Sequence, residues 1–198
     1  MKVVCLDLEG VLVPEIWEQF ADAVKIPELK KTTRDEPDYN ALMAYRLNIL
    51  KENNFKLSDV QKVIETLEPF EGASNFLAQL REQAQVIILS DTFSQFARPL
   101  MEKLNWPTIF CNELVVDEND EIVSYKMRCS NKIVTINALQ SCGFETIASG
   151  DSLNDLLMIQ GSSAGFLFRT TDEIKSSYPQ IKALDTYEEL LENIVNAL

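Results

Sequence analysis

The sequence predicts an α/β fold: a doubly wound parallel sheet with a small helical cap inserted after its first strand. Three observations carry this. Short apolar runs without polar alternation recur along the chain, as expected of strands covered on both faces. Helical stretches separate most of these runs, the pattern of a parallel sheet with crossover helices. Three of the runs end in acidic residues, at the edge where open α/β sheets collect their ligands.

In chain order, strands are expected at 3–8, 86–89, 108–110, 146–149 and 164–168. Between the first two, residues 16–24, 39–50 and 57–67 place apolar side chains at helical spacing. Ser58 reads as the N-cap of the last of these helices, with Gln61 three residues on. Pro14, Pro27, Pro37 and Pro69 punctuate the segment and mark helix boundaries. Residues 14–70 therefore form a helical cap, and residues 1–13 and 71–198 the core. Residues 114–116 and 122–125 flank a turn-like 117–121 and predict an antiparallel hairpin. An amphipathic helix over 187–198 closes the chain.

Composition narrows the chemistry. A length of 198 residues suits one core domain with a small insert. The net charge of -13 repels phosphate backbones and anionic lipid, so neither nucleic acid nor membrane is an expected partner. Cys5, Cys111, Cys129 and Cys142 show no CxxC pairing and read as free thiols of a reducing compartment. The opening residues are too short an apolar run for a signal peptide, and a cytoplasmic protein is expected. The chain has no histidine, which removes Ser-His-Asp triads, Cys-His dyads and most zinc hydrolases. Acid–base chemistry then falls mainly to carboxylates, and any metal is an oxygen-ligated one such as Mg²⁺.

The acidic strand ends are specific. Asp7 closes the first strand and Glu9 follows two residues later. A carboxylate there can ligate Mg²⁺ and attack phosphorus, although an Asp in that place can equally form a turn or cap a helix. Ser90 and Asp91 end the second strand, where a hydroxyl beside helix-terminal N–H groups can receive a phosphate oxygen or act as an N-cap. Ser149-Gly150-Asp151-Ser152-Leu153-Asn154-Asp155 closes the fourth strand. Asp151 and Asp155 share a rim with Asp7, and their mutual repulsion calls for a cation between them. Lys132, just before the helix that leads to the fourth strand, can supply positive charge; otherwise it is a solvated surface residue.

This order of Asp-x-acid, Ser, Lys and Gly-Asp-Ser-x-x-Asn-Asp resembles the haloacid dehalogenase superfamily of phosphatases over essentially the whole chain. Within it, the run from Cys5 to Trp17, the stretch Thr32-Thr33-Arg34-Asp35 and Ile88-Leu89-Ser90-Asp91-Thr92-Phe93 are similar to phosphoserine phosphatases, most of all to those that also transfer phosphate to homoserine. The resemblance implies that Asp7 is the nucleophile and forms an aspartyl-phosphate. It makes Glu9 the acid/base, with its backbone carbonyl at Mg²⁺. Asp151 becomes a further metal ligand and Asp155 orients the metal shell. Ser90, Asn154 and Lys132 hold the phosphoryl group, with Asp91 beside them. On the cap, Glu15 meets the amino group and Arg46 the carboxylate of a small phosphorylated amino acid. Unaided by the resemblance, both read as solvated helix charges.

Two departures stand out. Glu9 stands where most of the family has Asp, and Asp91-Thr92 follow the motif Ser where most phosphoserine phosphatases have glycines. Both are shared with the homoserine-using branch, which suggests ready transfer to an alcohol. The residues leave open another small phosphate ester as substrate, a non-enzymatic phospho-Asp switch, and a homodimer. No Gly-x-Gly-x-x-Gly or Walker motif supports nucleotide binding.

Overall fold

A computed structural model describes residues 1–33 and 35–198; Arg34, part of the stretch singled out above, lies outside the described residues. The centre is a seven-stranded sheet. Its strands are β1 (Lys2–Leu6), β2 (Gln85–Phe93), β3 (Thr108–Val116), β4 (Ile122–Lys126), β5 (Glu145–Gly150), β6 (Ala164–Phe168) and β7 (Lys182–Leu184), in the order β4-β3-β2-β1-β5-β6-β7. All neighbours pair in parallel except β3 with β4, the predicted hairpin. The order reverses at β1, between β2 and β5, so the end of β1 is the switch point of the sheet.

Both faces are covered, which explains the lost alternation. On β1, Val4 and Leu6 pack into one buried cluster with Ile88, Phe96 and Phe168. Val3 and Cys5 pack into the other, with Leu89, Ile136 and Leu167. The covering helices are α4 (Ala73–Gln83), α5 (Ser94–Lys103), α6 (Ile133–Ser141), α7 (Leu156–Gly161), α8 (Asp172–Ser177) and α9 (Tyr187–Ala197). Before them in the chain come α1 (Ile16–Val24), α2 (Tyr39–Glu52) and α3 (Leu57–Glu65), all within residues 14–70. All four cysteines are free. Among the described residues no helix is long and apolar enough to cross a membrane.

Some elements depart from expectation. β1 ends at Leu6 rather than at residue 8, because the chain turns back on itself: Leu12 N and Val13 N both donate to Leu8 O, at 2.8 and 3.1 Å. Leu8, Val11, Leu12 and Val13 are fully buried in this turn, so their apolar character reports burial rather than a strand. β2 runs four residues past its expected end. Leu89 pairs with Phe110 but Phe93 with Asn112, so two extra β2 residues bulge out. β7, only three residues long at an edge, has no signal in the sequence.

Ser58 is not an N-cap. α3 starts at Leu57 after Lys56, whose N–H donates to Asp59 Oδ2 at 3.1 Å. The next two N–H groups are satisfied from the β3–β4 turn: Leu57 N donates to Asp120 O and Ser58 N to Asp120 Oδ2, both at 2.9 Å. A residue far along the sequence therefore caps the cap helix, which no local pattern can announce. The same hairpin holds α2 through Tyr125, whose hydroxyl donates to Asn40 Oδ1 at 2.6 Å.

Candidate active site

A cleft of about 520 Å³ lies between the strand ends and the helices α1 and α2, and it is lined by Asp7, Glu9, Glu15, Arg46, Ser90, Asp91, Lys132, Asp151 and Asn154, but not by Asp155. A larger hollow of about 740 Å³, between α3 and α5 around Arg98 and Trp106, holds none of the strand-end carboxylates.

The floor is built at the switch point. Asp7 N donates to Ser149 O at 3.0 Å, extending the β1–β5 pairing by one residue and delivering the Asp7 side chain to the cleft. Asp7 Oδ1 accepts from Leu8 N at 2.7 Å and pairs with Lys132 Nζ at 2.7 Å, which leaves Oδ2 for chemistry. Lys132 is 3% exposed, not a solvated lysine: its ammonium also meets Asp155 Oδ1 at 2.6 Å. Asp155 is wholly buried and turned inward. Its Oδ2 accepts from Asp151 N and Ser152 N, at 3.1 and 3.2 Å, so it fixes the loop that presents Asp151.

The charges on this floor do not balance. Oxygen atoms of Asp7, Asp151 and Asp155 lie within 4.8 Å of one another, with Lys132 as their cation. Burial, then the Asp155 charge, push the Asp7 carboxyl well above the usual range despite Lys132. The same causes push Asp151 up to about 7. Burial works against the Lys132 ammonium, but Asp155 and Asp7 outweigh it and hold its pKa above the usual lysine value. A tight set of oxygen donors with surplus negative charge fits a hard divalent cation, with Asp7 and Asp151 as the carboxylates open to it.

Two glycines that the motif reading quoted without giving them a role, Gly10 and Gly150, make this approach possible. Gly10 has φ +76°, and a Cβ there would stand 2.4 Å from Asp151 Cγ; at Gly150 a Cβ would stand 2.3 Å from Asp155 Cγ. Only a residue without a side chain lets these backbones reach the carboxylates.

Glu9 sits above the floor. Its Oε2 accepts from Ile16 N at 2.9 Å, Thr92 also bonds to its carboxylate, and it shares a hydrogen bond with Glu15. Burial, then the neighbouring Glu15, push Glu9 up to about 8, which favours its protonated form. Burial, then Glu18, raise Glu15 as well.

Ser90 and Asp91 lie in the bulge of β2, four and three residues before α5 begins, rather than beside a helix terminus. Ser90 Oγ accepts from Thr92 N at 3.2 Å. Asp91 Oδ2 accepts from Asn154 Nδ2 at 2.9 Å, and Asn154 Oδ1 accepts from Ser152 Oγ. The bulge explains the placement and is invisible in sequence, because the register shift between Leu89 and Phe93 is set by the pairing with β3.

The cap wall contains a buried cation. Arg46 is 8% exposed, not a solvated helix charge. Its Nη2 donates to Lys31 O at 2.8 Å, its Nε has no partner, and its guanidinium lies 4.6 Å from the centre of the Trp17 ring. Burial lowers its pKa. Lys132 and Arg46 are the cations among the described lining residues, one on the floor and one on the wall.

The comparisons with known proteins agree with this geometry. The family described as haloacid dehalogenase-like hydrolase matches residues 1–162. The phosphoserine phosphatase ThrH of Pseudomonas aeruginosa is 48% identical over 198 residues, covering 100% of this chain and 97% of that protein. A phosphoserine phosphatase of Pseudomonas syringae pv. tomato is also 48% identical, over 100% of this chain and 84% of its own length. Among solved structures, a phosphoserine phosphatase in apo form superposes with TM-score 0.78 at 20% identity, covering 96% of this chain and 98% of its own. A phospho-aspartyl intermediate analogue of phosphoserine phosphatase gives 0.78 at 19%, covering 97% and 98%. A match across most of the chain, relatives at nearly half identity and strand-end carboxylates at the switch point lead to one conclusion: the chain belongs to the haloacid dehalogenase-like hydrolases.

Proposed function

We propose that the protein is a Mg²⁺-dependent phosphotransferase that hydrolyses L-phosphoserine through an aspartyl-phosphate at Asp7 and can pass the phosphoryl group to homoserine. The observation that carries this reading is the meeting, in one cleft, of an Asp7 carboxyl with one oxygen left open and a buried Glu9 carboxyl hydrogen-bonded to Glu15.

In the first half-reaction Asp7 Oδ2 forms a bond to phosphorus while the bond from phosphorus to the serine oxygen breaks. The Glu9 proton goes to that leaving oxygen. In the second, the Glu9 carboxylate takes a proton from water, or from the homoserine hydroxyl, as that oxygen attacks phosphorus and the Asp7–phosphorus bond breaks. The product is inorganic phosphate or phosphohomoserine. Bound at Asp7, Asp151 and the Glu9 carbonyl, Mg²⁺ would screen the charge of the phosphoryl group against these acids. Lys132, Ser90 and Asn154 hold the phosphoryl oxygens, with Asn154 exchanging its bond to Asp91 for one to the ligand. Arg46, buried with an unpartnered Nε, suits a carboxylate, and Glu15 suits an ammonium. The names of the 48%-identical relatives support the same substrate, and membership of a hydrolase family favours turnover over a phospho-acceptor switch.

The test is phosphate release from L-phosphoserine with Mg²⁺, with and without homoserine, beside Asp7→Asn. Release that needs Asp7 and Mg²⁺ supports the phosphatase, and a phosphohomoserine product supports transfer. A folded protein without turnover on phosphoserine would move the reading to another small phosphate ester. Water outcompeting saturating homoserine would remove the transfer step.

A further inference from the structure

We infer that Trp17 is a positioning residue for substrate recognition: its indole face holds the Arg46 guanidinium charged and aimed into the cleft in place of an acidic partner. This rests on the proposed carboxylate-reading role of Arg46. A cation buried this deeply ordinarily pairs with a carboxylate. Arg46 has no ion pair among the described residues, one hydrogen bond to Lys31 O, and a buried Nε without a partner. Glu9, Glu15 and Tyr39 act on it only at longer range, and the ring supplies the close contact, at 4.6 Å from Cζ, inside the distance at which the negative face of an indole holds a cation.

The arrangement has a functional logic. An Asp or Glu on Arg46 would have to be displaced by each incoming substrate carboxylate. A ring stabilises the charge and occupies none of the in-plane N–H donors, of which one goes to Lys31 O. Trp17 is itself locked. It is 9% exposed and meets fully buried Phe96 edge-to-face at 5.5 Å, and Phe96 meets Phe93 at 5.7 Å. Phe93 ends β2, the strand that carries Ser90. One run of aromatic contacts thus links the phosphate end of the cleft to the carboxylate end.

The experiment compares L-phosphoserine with O-phosphoethanolamine, the same ester without the carboxylate, in the Mg²⁺-loaded enzyme. Trp17→Leu is expected to lower kcat/KM for phosphoserine about tenfold, mainly through KM, and that for phosphoethanolamine less than about twofold. Trp17→Phe restores most of the loss. In an Arg46→Ala background, Trp17→Leu has no further effect on phosphoserine. Equal losses on both esters, or an undiminished loss in the Arg46→Ala background, would overturn the inference and leave Trp17 a packing residue. If Trp17→Leu does not fold, fluorinated tryptophans replace it, because they keep the shape and weaken the ring face. A graded fall on phosphoserine alone supports the inference, and a flat series sinks it. Failure of the wild type to prefer phosphoserine to phosphoethanolamine would count against the carboxylate-reading role itself, a separate result.

Discussion

The floor of the cleft and its cap wall are polar in different ways. On the floor, Lys132 holds Asp7 and Asp155 at 2.7 and 2.6 Å, and both carboxylates also accept backbone N–H groups, which fixes their positions. On the wall, Arg46 has one hydrogen bond and an aromatic face, and Glu15 has a hydrogen bond with Glu9. The floor is pre-organised, as a reacting centre must be. The wall is left short of partners, as a surface that waits for a ligand must be. On the proposed function, reaction and recognition are thus divided between the floor and the wall of the cleft.

The largest effect should come from the floor. Asp7→Asn, nearly isosteric, is expected to lower kcat by roughly 10⁴-fold on every phosphate ester while the protein stays folded. A wall substitution such as Arg46→Ala should act only on carboxylate-bearing esters, so an aryl phosphate distinguishes the two regions. If both variants lose both substrates alike, the separation is wrong.

Lys132→Met should show the same asymmetry in stability. It removes the cation shared by two buried acids, Asp7 and Asp155, and breaking such a buried pair costs about 3–5 kcal/mol. Denaturant unfolding without metal would measure it. A cost below about 1 kcal/mol would mean that the floor is not electrostatically locked.

Gly10→Ala tests the close approach. The added Cβ meets the Asp151 carboxylate at φ +76°, so Asp151 must move. Metal affinity, read by calorimetry, should fall about 10–100-fold, the scale of a displaced metal shell. Unchanged affinity would remove Asp151 from the metal site.

The pH dependence of the metal-free protein follows from the raised carboxyls. Glu9, at about 8, and Asp151, at about 7, bind protons more tightly folded than unfolded. Their contribution to stability is therefore fully present below their unfolded values, near 4, and is lost as pH rises toward 7 to 8. Bound Mg²⁺ offsets the charge, so the rise in Tm caused by Mg²⁺ should grow across that window. A shift that is constant or shrinks with pH would argue against cation binding at these acids.

The smallest effect lies where the regions meet. Asp120→Ala removes the carboxylate that caps α3 across the hairpin and should cost about 1 kcal/mol, whereas Asp120→Asn, which can also accept and tolerates φ +64°, should cost less. Equal costs would mean that the backbone carbonyl does the capping alone.

Particular residues show how far the sequence reached. The strand ends at Asp7, Ser90 and Asp151 could be found because strand periodicity and turn chemistry are local. Lys132 could be named but not its burial, which depends on two carboxylates brought from β1 and from the turn after β5. Ser90 could be named but not the bulge that sets it, since a register shift belongs to two strands at once. Trp17 and Thr92 stood in the stretches that carry the resemblance but received no role of their own, because an aromatic or a hydroxyl beside a motif is ordinary in any core.

The sequence by itself determined the layered α/β class, the order of the acidic strand ends and the absence of histidine chemistry, since these depend on residue type and short-range spacing. Only the tertiary structure decided which acids share one cation, which carboxyl keeps its proton and which arginine is left short of partners. Those properties arise from burial and from distances of a few ångströms between segments far apart in the chain, and they are fixed only once the sheet has closed around Asp7 and the cap has packed above it.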